Sequence, residues 1–431
     1  MATLLGAALN FGLQTMLARL LGLKQFGVFA SSLATVMLVA PLAGFGLAGF
    51  WLRVYGQEGQ DAQRWLAVSL RFILISTSLV VLGLLTWAWI GPHDELTASL
   101  IKILSITILG NIVIELGSAR FQIENNYIGL ALWQILLQTL RLSSIAVLVQ
   151  VFGIESIDAL SIAVIFSGVA CVMLMIGIFQ LASIVYGKNI IDGHISKVDI
   201  KVNDKSLLSS PTICNLTYGT LPFGLAGFFY LIYYQSDIVM LKYIVGDSEA
   251  ALYNVAFVVI SSVYIFPTVL YQKFLLPKLH RWAYQDLINA ARVYRISNLS
   301  MLFLGIASMI LLWWLTPMLL PWIFGDDYLD AIWLVLILSL AVPFRFISSV
   351  SGAILSTNDL IWSKLKIILL ATLFNLVFNL ILIPHLGAIG AAISTVCTEV
   401  LLCILFYLSV GKILRLTHLK DIVTMKDFSN E

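Results

Sequence analysis

Charge is what this chain lacks most. Asp, Glu, Lys and Arg make up 11% of its 431 residues, against about 25% in ordinary soluble domains. The 25 basic and 23 acidic residues nearly cancel, so nothing marks a nucleic-acid partner. Cysteine is scarce. Cys171, Cys214, Cys397 and Cys403 lie in or beside apolar runs without metal-ligand spacing, and are expected to be small buried hydrophobes without disulfides. His93, His194, His280, His385 and His418 have no zinc spacing and no paired-carboxylate motif. No Gly-Lys-Ser/Thr phosphate loop occurs, which excludes direct use of ATP. No Lys or Arg precedes residue 19, and the chain enters an apolar run at once, so no cleavable signal is expected and the start is expected to lack a few cytoplasmic residues.

What the chain has is hydrocarbon. Sixty per cent of it is hydrophobic and its mean hydropathy is +0.98, which defines an all-α polytopic membrane protein. Twelve apolar stretches are long enough to cross a bilayer: 2–21, 27–51, 65–90, 98–117, 128–151, 160–186, 212–245, 250–272, 298–320, 331–352, 361–384 and 387–410. Placing both termini in the cytoplasm puts nineteen of the 25 Lys and Arg on the inner side, as the positive-inside rule requires. Outer loops are short and acidic. Inner stretches at 187–210 and 273–297 are longer, and the second, with Trp282 and Tyr284, suits a helix at the anionic inner leaflet.

The chain also repeats itself. Gly22 and Phe29 align with Gly246 and Tyr253, and a later span–Gly153–span unit with a span–Gly387–span unit. Six spans duplicated as six more predict two parallel lobes, 1–210 and 211–431, with a substrate site between them.

Chemistry concentrates where polar groups sit at membrane depth. Gln134, Gln138 and Arg141 share one face of the fifth span. An arginine at bilayer centre costs about 3 kcal/mol to insert, so this one must face protein or water. Arg345, with Ser349, Gly352 and Ser356, forms a second polar face. Guanidinium groups grip phosphate oxygens bidentately and keep their charge in low dielectric, so Arg141 and Arg345 are candidate pyrophosphate ligands. The structural alternatives are an ion pair of Arg141 with Glu115 or Asp237, and Arg345 capping carbonyls near Pro343. Asp237, Glu399 and Glu115 are candidate H+ or Na+ coupling sites, or partners for the arginines. The Asn111–Glu115–Ser118 and Thr372–Asn375–Asn379 stripes read as helix–helix contacts or as lining of a sugar passage. No arrangement reads as catalytic and no cofactor is implied.

Ala18-Arg-Leu-Leu-Gly22 with Phe26-Gly-Val-Phe29, Ser236 to Lys242 with Gly246, Phe324-Gly-Asp-Asp-Tyr328, and Ile383 to Ala392 together resemble the oligosaccharide-lipid flippases of polysaccharide biosynthesis. That family shares a superfamily with the MATE multidrug exporters and the lipid II flippases. The resemblance implies two six-helix lobes around a cationic cavity that alternates between faces. It implies transport of an undecaprenyl-pyrophosphate-linked oligosaccharide to the outer leaflet of a bacterial inner membrane, for O-antigen, capsule or exopolysaccharide. Arg19 matches the family's first-helix arginine and is a candidate headgroup contact. Membrane lipids, a polymerase and a chain-length regulator are the partners implied. The rivals are a MATE-like multidrug antiporter, for which two deep arginines are ill suited, and a membrane polymerase or ligase, which needs a longer outer loop than any here.

Overall fold

The computed structural model describes residues 2–185, 211–270, 287–355 and 360–427. These contain helices and connecting turns, with no strand among the described residues. The inner stretch at 187–210, Trp282 and Tyr284 of the other, and Ser356 to Asp359 fall outside them.

The helices are α1 (Ala2–Gly44), α2 (Leu47–Glu58), α3 (Leu66–Ile90), α4 (Glu95–Leu104), α5 (Thr107–Ile123), α6 (Tyr127–Phe152), α7 (Ala159–Val185), α8 (Ile213–Ile244), α9 (Asp247–Leu270), α10 (Leu287–Phe324), α11 (Ala331–Ser339), α12 (Val342–Ile354) and α13 (Ile361–Asp427). Among the described residues these helices lie along all twelve expected spans, the ends of the sixth (186) and the eighth (271–272) falling outside the described residues. Two pairs run together as single long helical stretches, α1 and α13, because one glycine joins the halves: Gly22 (φ 66°, ψ 173°) and Gly387 (φ 56°, ψ −136°). The tenth span is broken, its halves α11 and α12 bent by 47°. Gly22, Gly246, Gly153 and Gly387, the four glycines of the repeat, all have positive φ. That backbone costs a residue with a Cβ roughly 1–2 kcal/mol, which is why the repeat is legible at these points.

The chain divides into two compact units, Met1–Lys242 and Tyr243–Glu431, where the repeat in the sequence suggested a division at 210/211. Contacts of α8 explain its company in the first unit. A Cβ on Gly46 would lie 2.3 Å from the Gly224 nitrogen, and one on Gly219 would lie 2.5 Å from the Phe50 ring. So α8 is clamped to the break between α1 and α2, where Phe45 (φ 39°) and Gly46 (φ 74°) turn the chain. The core of the first unit includes Val113, Trp133, Val169 and Met173, from α5, α6 and α7.

Three of the four cysteines correct the expectation of burial. Cys171 and Cys214 are exposed, Cys397 is intermediate, and only Cys403 is buried; all four are free thiols. On a membrane helix an exposed position is still an apolar one, so hydrophobicity did not distinguish the two environments.

Candidate functional site

The first unit builds its site on α6. Asn126 starts the helix, its side chain accepting a hydrogen bond from the Gly129 N–H at 2.8 Å. Trp133 anchors one face, buried and donating through Nε1 to the Ile114 carbonyl at 3.1 Å. Two turns further on, Arg141 is only 9% exposed. Its guanidinium carbon lies 4.2 Å from the centre of the Phe166 ring on α7, and Phe166 packs edge-on against Phe29 at 5.2 Å. A cation over a ring face is attracted by the ring quadrupole. No carboxylate among the described residues pairs with Arg141, so the expected alternative of an ion pair with Glu115 or Asp237 is not what holds it. Its Nε has no hydrogen-bond partner, and neither does the shielded Oε1 of Gln138 one turn away. Thr15 Oγ1, on the α1 helix that packs along α6, is in the same condition.

The second unit solves the same problem differently. Arg345 on α12 donates from Nη1 to Glu399 Oε1 on α13 at 3.3 Å, and the carboxylate is 1% exposed. The guanidinium also lies 5.5 Å from the Tyr264 ring centre. Lys364, near the start of α13, lies within electrostatic reach of Arg345. Sequence reading placed Lys364 in an inner loop and gave Tyr264 no role. Both could have been flagged by position, Lys364 three residues into an apolar span and Tyr264 well inside another. The Arg345 alternative of carbonyl capping gives way to an ion pair, since Glu399 supplies a stronger acceptor.

The other candidates scatter. Gln134 and Arg19 are exposed on α6 and α1, Asp237 is buried on α8, and Glu115 is exposed on α5, beside the break after Gly44. Thr372, Asn375 and Asn379 are buried and internally bonded: Asn379 Nδ2 to Asn375 Oδ1 at 3.1 Å, Asn375 Nδ2 to Ser394 Oγ at 3.4 Å, and Thr372 to the Ile368 carbonyl. This stripe joins helices. In the first stripe Ser118 bonds back to Ile114, and Asn111 Nδ2 approaches Met37 Sδ at 3.2 Å. Outside the membrane-crossing helices, Asp94 precedes α4. Partial burial pushes its carboxyl up, but the Thr97 hydroxyl and the charge of Lys242 outweigh it and hold the carboxyl below its ordinary value. Lys242 and Asp94 thus lie near each other, as expected of two residues assigned to the outer side.

Long apolar helices, several of them broken, that carry guanidinium groups at depth define a multi-pass membrane protein, and its fold is the MATE-like one. Solved structures agree. The chain is similar to an inward-facing multidrug resistance MATE family transporter of the MOP superfamily, with 15% identity and TM-score 0.68 over 98% of this chain and 96% of that one. It is similar to the lipid II flippase MurJ in an inward closed conformation, with 15% identity and TM-score 0.70 over 95% and 86%. A MOP superfamily transporter from Pyrococcus furiosus matches at 13% identity and TM-score 0.62 over 96% and 94%. By name each of these is a transporter or a flippase and none an enzyme. No match is found among curated proteins. The polysaccharide biosynthesis protein family model matches residues 1–279, and the chain belongs to that family.

Proposed function

We propose that this chain is a flippase that carries an undecaprenyl-pyrophosphate-linked oligosaccharide from the cytoplasmic to the outer leaflet of a bacterial inner membrane, for assembly of a cell-surface polysaccharide. The observation that carries this reading is Arg141: a guanidinium held on an aromatic face within a membrane-crossing helix, with no carboxylate paired to it and an N–H left over. Such a group is suited to a visiting anion. A pyrophosphate matches its charge and fork geometry, and membership of a polysaccharide biosynthesis family supplies the reason for a glycan on that pyrophosphate. MurJ, by name a lipid II flippase, supports a lipid-linked cargo.

In this reading Arg345 is the second anion ligand, and Gln138, Gln134 and Arg19 are secondary contacts. Glu399, Asp237 and Glu115 are the candidate H+ or Na+ sites. Moving two uncompensated negative charges outward, away from a negative interior, gains about 2.3 kcal/mol per charge per 100 mV, so the potential alone could drive the flip. If the cargo's charge is neutralised on the way, a coupling ion at Glu399 takes over that task. Both termini are cytoplasmic, and a polymerase and a chain-length regulator act downstream.

Deleting the gene in its own host tests the proposal. Loss of surface glycan with lipid-linked repeat units retained at the inner leaflet is the expected result. The multidrug antiporter, which the likeness to MATE structures keeps as the second reading, predicts intact glycan and new sensitivity to cationic compounds. Unpolymerised repeat units on the outer leaflet would point to the polymerase or ligase instead.

A further inference from the structure

Arg141 keeps a charge at depth that no carboxylate among the described residues balances. It stands fourteen residues from one end of α6 and eleven from the other, about 21 and 16 Å along the axis at 1.5 Å per residue. A charge taken out of water is costly unless something nearby neutralises it. Here the neighbour is an aromatic ring. Ala159, Ile162, Ala163, Phe166, Ala170 and Met173 recur at helical spacing and form the buried face of α7. Phe166 is the aromatic one of these six. Its ring is fully buried and braced by Phe29, which meets it at 79° with ring centres 5.2 Å apart.

The guanidinium carbon of Arg141 lies over this ring, 4.2 Å from its centre. The Nε end of the guanidinium is shielded and without a hydrogen-bond partner. The two Nη groups also lack a partner among the described residues, but they are not shielded. An arriving oxyanion therefore meets Arg141 end-on, through Nη1 and Nη2.

We propose that the Phe166 ring is the placeholder of the empty anion site: it balances the Arg141 charge while no cargo is bound, and an arriving pyrophosphate takes over that role. The consequence is a competition. A ring quadrupole attracts a cation more strongly than the neutral pair which that cation forms with an anion. Phe166 thus stabilises the empty site more than the filled one, and by linkage it lowers the affinity of the site for the anion. A carrier has to release its cargo at the far leaflet, and a partner that returns to the guanidinium favours that release. In the second unit Arg345 has a full counter-charge in Glu399 at 3.3 Å. The ring is a weaker substitute, which makes Arg141 the arginine readier to take an anion. This inference rests on the flippase reading and adds to it a determinant of how tightly the cargo headgroup is held.

The test uses the full-length protein in nanodiscs, with Phe166 replaced by mono-, di- and trifluorinated phenylalanine. Fluorine is little larger than hydrogen but withdraws charge from the ring face, so the quadrupole weakens stepwise while the packing against Phe29 is kept. The empty protein is expected to unfold at a lower temperature with each fluorine, and the slope should vanish in an Arg141→Met background. A slope of the same size in both backgrounds would make the ring a packing element and overturn the placeholder. The second readout is affinity for bare undecaprenyl pyrophosphate, from quenching of the native tryptophans. The trifluorinated protein is expected to bind this lipid about fivefold more tightly, the size of one cation–ring contact. Weaker binding along the series would mean that the ring orients the arginine for the anion, and unchanged binding that it does not bear on the anion; either overturns the placeholder. Failure of the unsubstituted protein to bind the lipid is a separate result. It overturns the flippase reading, and the placeholder falls with it even where the unfolding series shows the ring holding the charge.

Discussion

The fourth residue of α5 in the first unit is Gly110, and the fourth residue of α12 in the second is Arg345. Each meets a residue on another long helix of its own unit, α7 in the first and α13 in the second. Gly110 touches Ala170 so closely that an added Cβ would lie 2.9 Å from the alanine Cβ; Arg345 meets Glu399 at 3.3 Å. Ala170 stands eleven residues after Ala159, and Glu399 eleven after Ala388. The same pairing recurs elsewhere. Phe29 packs on Phe166 in one unit, and Tyr253 bonds to Thr395 at 2.9 Å in the other. Twelve residues before Gly153 stands Arg141, and twelve before Gly387 stands Asn375. One helical frame has therefore been filled in two ways. At these matched points the first unit sets apolar groups against each other and keeps Arg141 without a carboxylate; the second sets polar groups against each other and keeps Arg345 paired. The duplication conserves where helices touch, while the chemistry at the touching points is free to diverge.

The largest expected effect breaks this contrast at its sharpest point. Arg141→Ala should abolish export of surface glycan while the protein still inserts, its cost in stability limited to the lost contact with the Phe166 ring because no ion pair is broken. Arg345→Ala should also abolish export. Normal surface glycan in both variants would refute anion binding by the arginines. Next in size is Glu399→Ala, which strands Arg345 without its carboxylate. Removing one partner of a buried pair costs about 3–5 kcal/mol. The double variant Arg345→Gly with Glu399→Ala copies the first unit's Gly110–Ala170 pair and should recover most of that loss in a denaturation series in detergent. Equal destabilisation by the single and double variants would show that the ion pair does not govern this contact.

A smaller effect comes from exchanging the aromatic positions. Tyr253→Phe makes the second unit resemble the first and leaves the Thr395 hydroxyl with one partner fewer, at a cost of about 1 kcal/mol. Phe29→Tyr is the reverse exchange and should cost more, about 1–3 kcal/mol, because its hydroxyl would be buried against Phe166 with no acceptor there. If the two exchanges cost the same, the units are not as differently solvated as their side chains indicate.

Much of the frame was legible in the sequence because hydropathy and backbone geometry both leave local marks. Spans of about twenty apolar residues and glycines at Gly22, Gly153, Gly246 and Gly387 needed no knowledge of tertiary contacts. Arg141 was legible as an anomaly of depth. Its holder was not, since Phe166 lies 25 residues away on another helix and looks like any other apolar residue. The Arg345–Glu399 pair was open as one alternative among several, because charge alone does not choose between carboxylates on different helices. The Tyr264 and Lys364 neighbours of Arg345 were missed for the same reason. The Thr372–Asn375–Asn379 stripe shows the limit from the other side: its spacing is that of a passage lining, and only Ser394, from the other half of α13, reveals it as a helix–helix contact.

The smallest effect concerns a latch that both units share. Three residues after Gly22, Gln25 Oε1 accepts a hydrogen bond from Ala159 N–H at 3.1 Å; three residues after Gly246, Glu249 Oε2 accepts from Ala388 N–H at 2.8 Å. Each side chain satisfies an unpaired donor where a helix begins, α7 in one case and the second half of α13 in the other. The carboxylate makes the shorter bond, as a charged acceptor does. The reason for the difference lies next to the latch. Asp158 immediately precedes Ala159 and accepts from the Ser161 N–H at 2.9 Å, so the first unit already has a negative group at that helix start. The matching segment, His385-Leu-Gly-Ala-Ile389, has none, and Glu249 brings the charge from another helix. Glu249→Gln should therefore lower stability by about 0.3–1 kcal/mol, the size of one charge at a helix N-terminus. Gln25→Glu should give no matching gain, because the new carboxylate would sit beside Asp158. A gain from Gln25→Glu as large as the loss from Glu249→Gln would mean that the two helix starts are electrostatically alike, and that Asp158 does not do in the first unit what Glu249 does in the second.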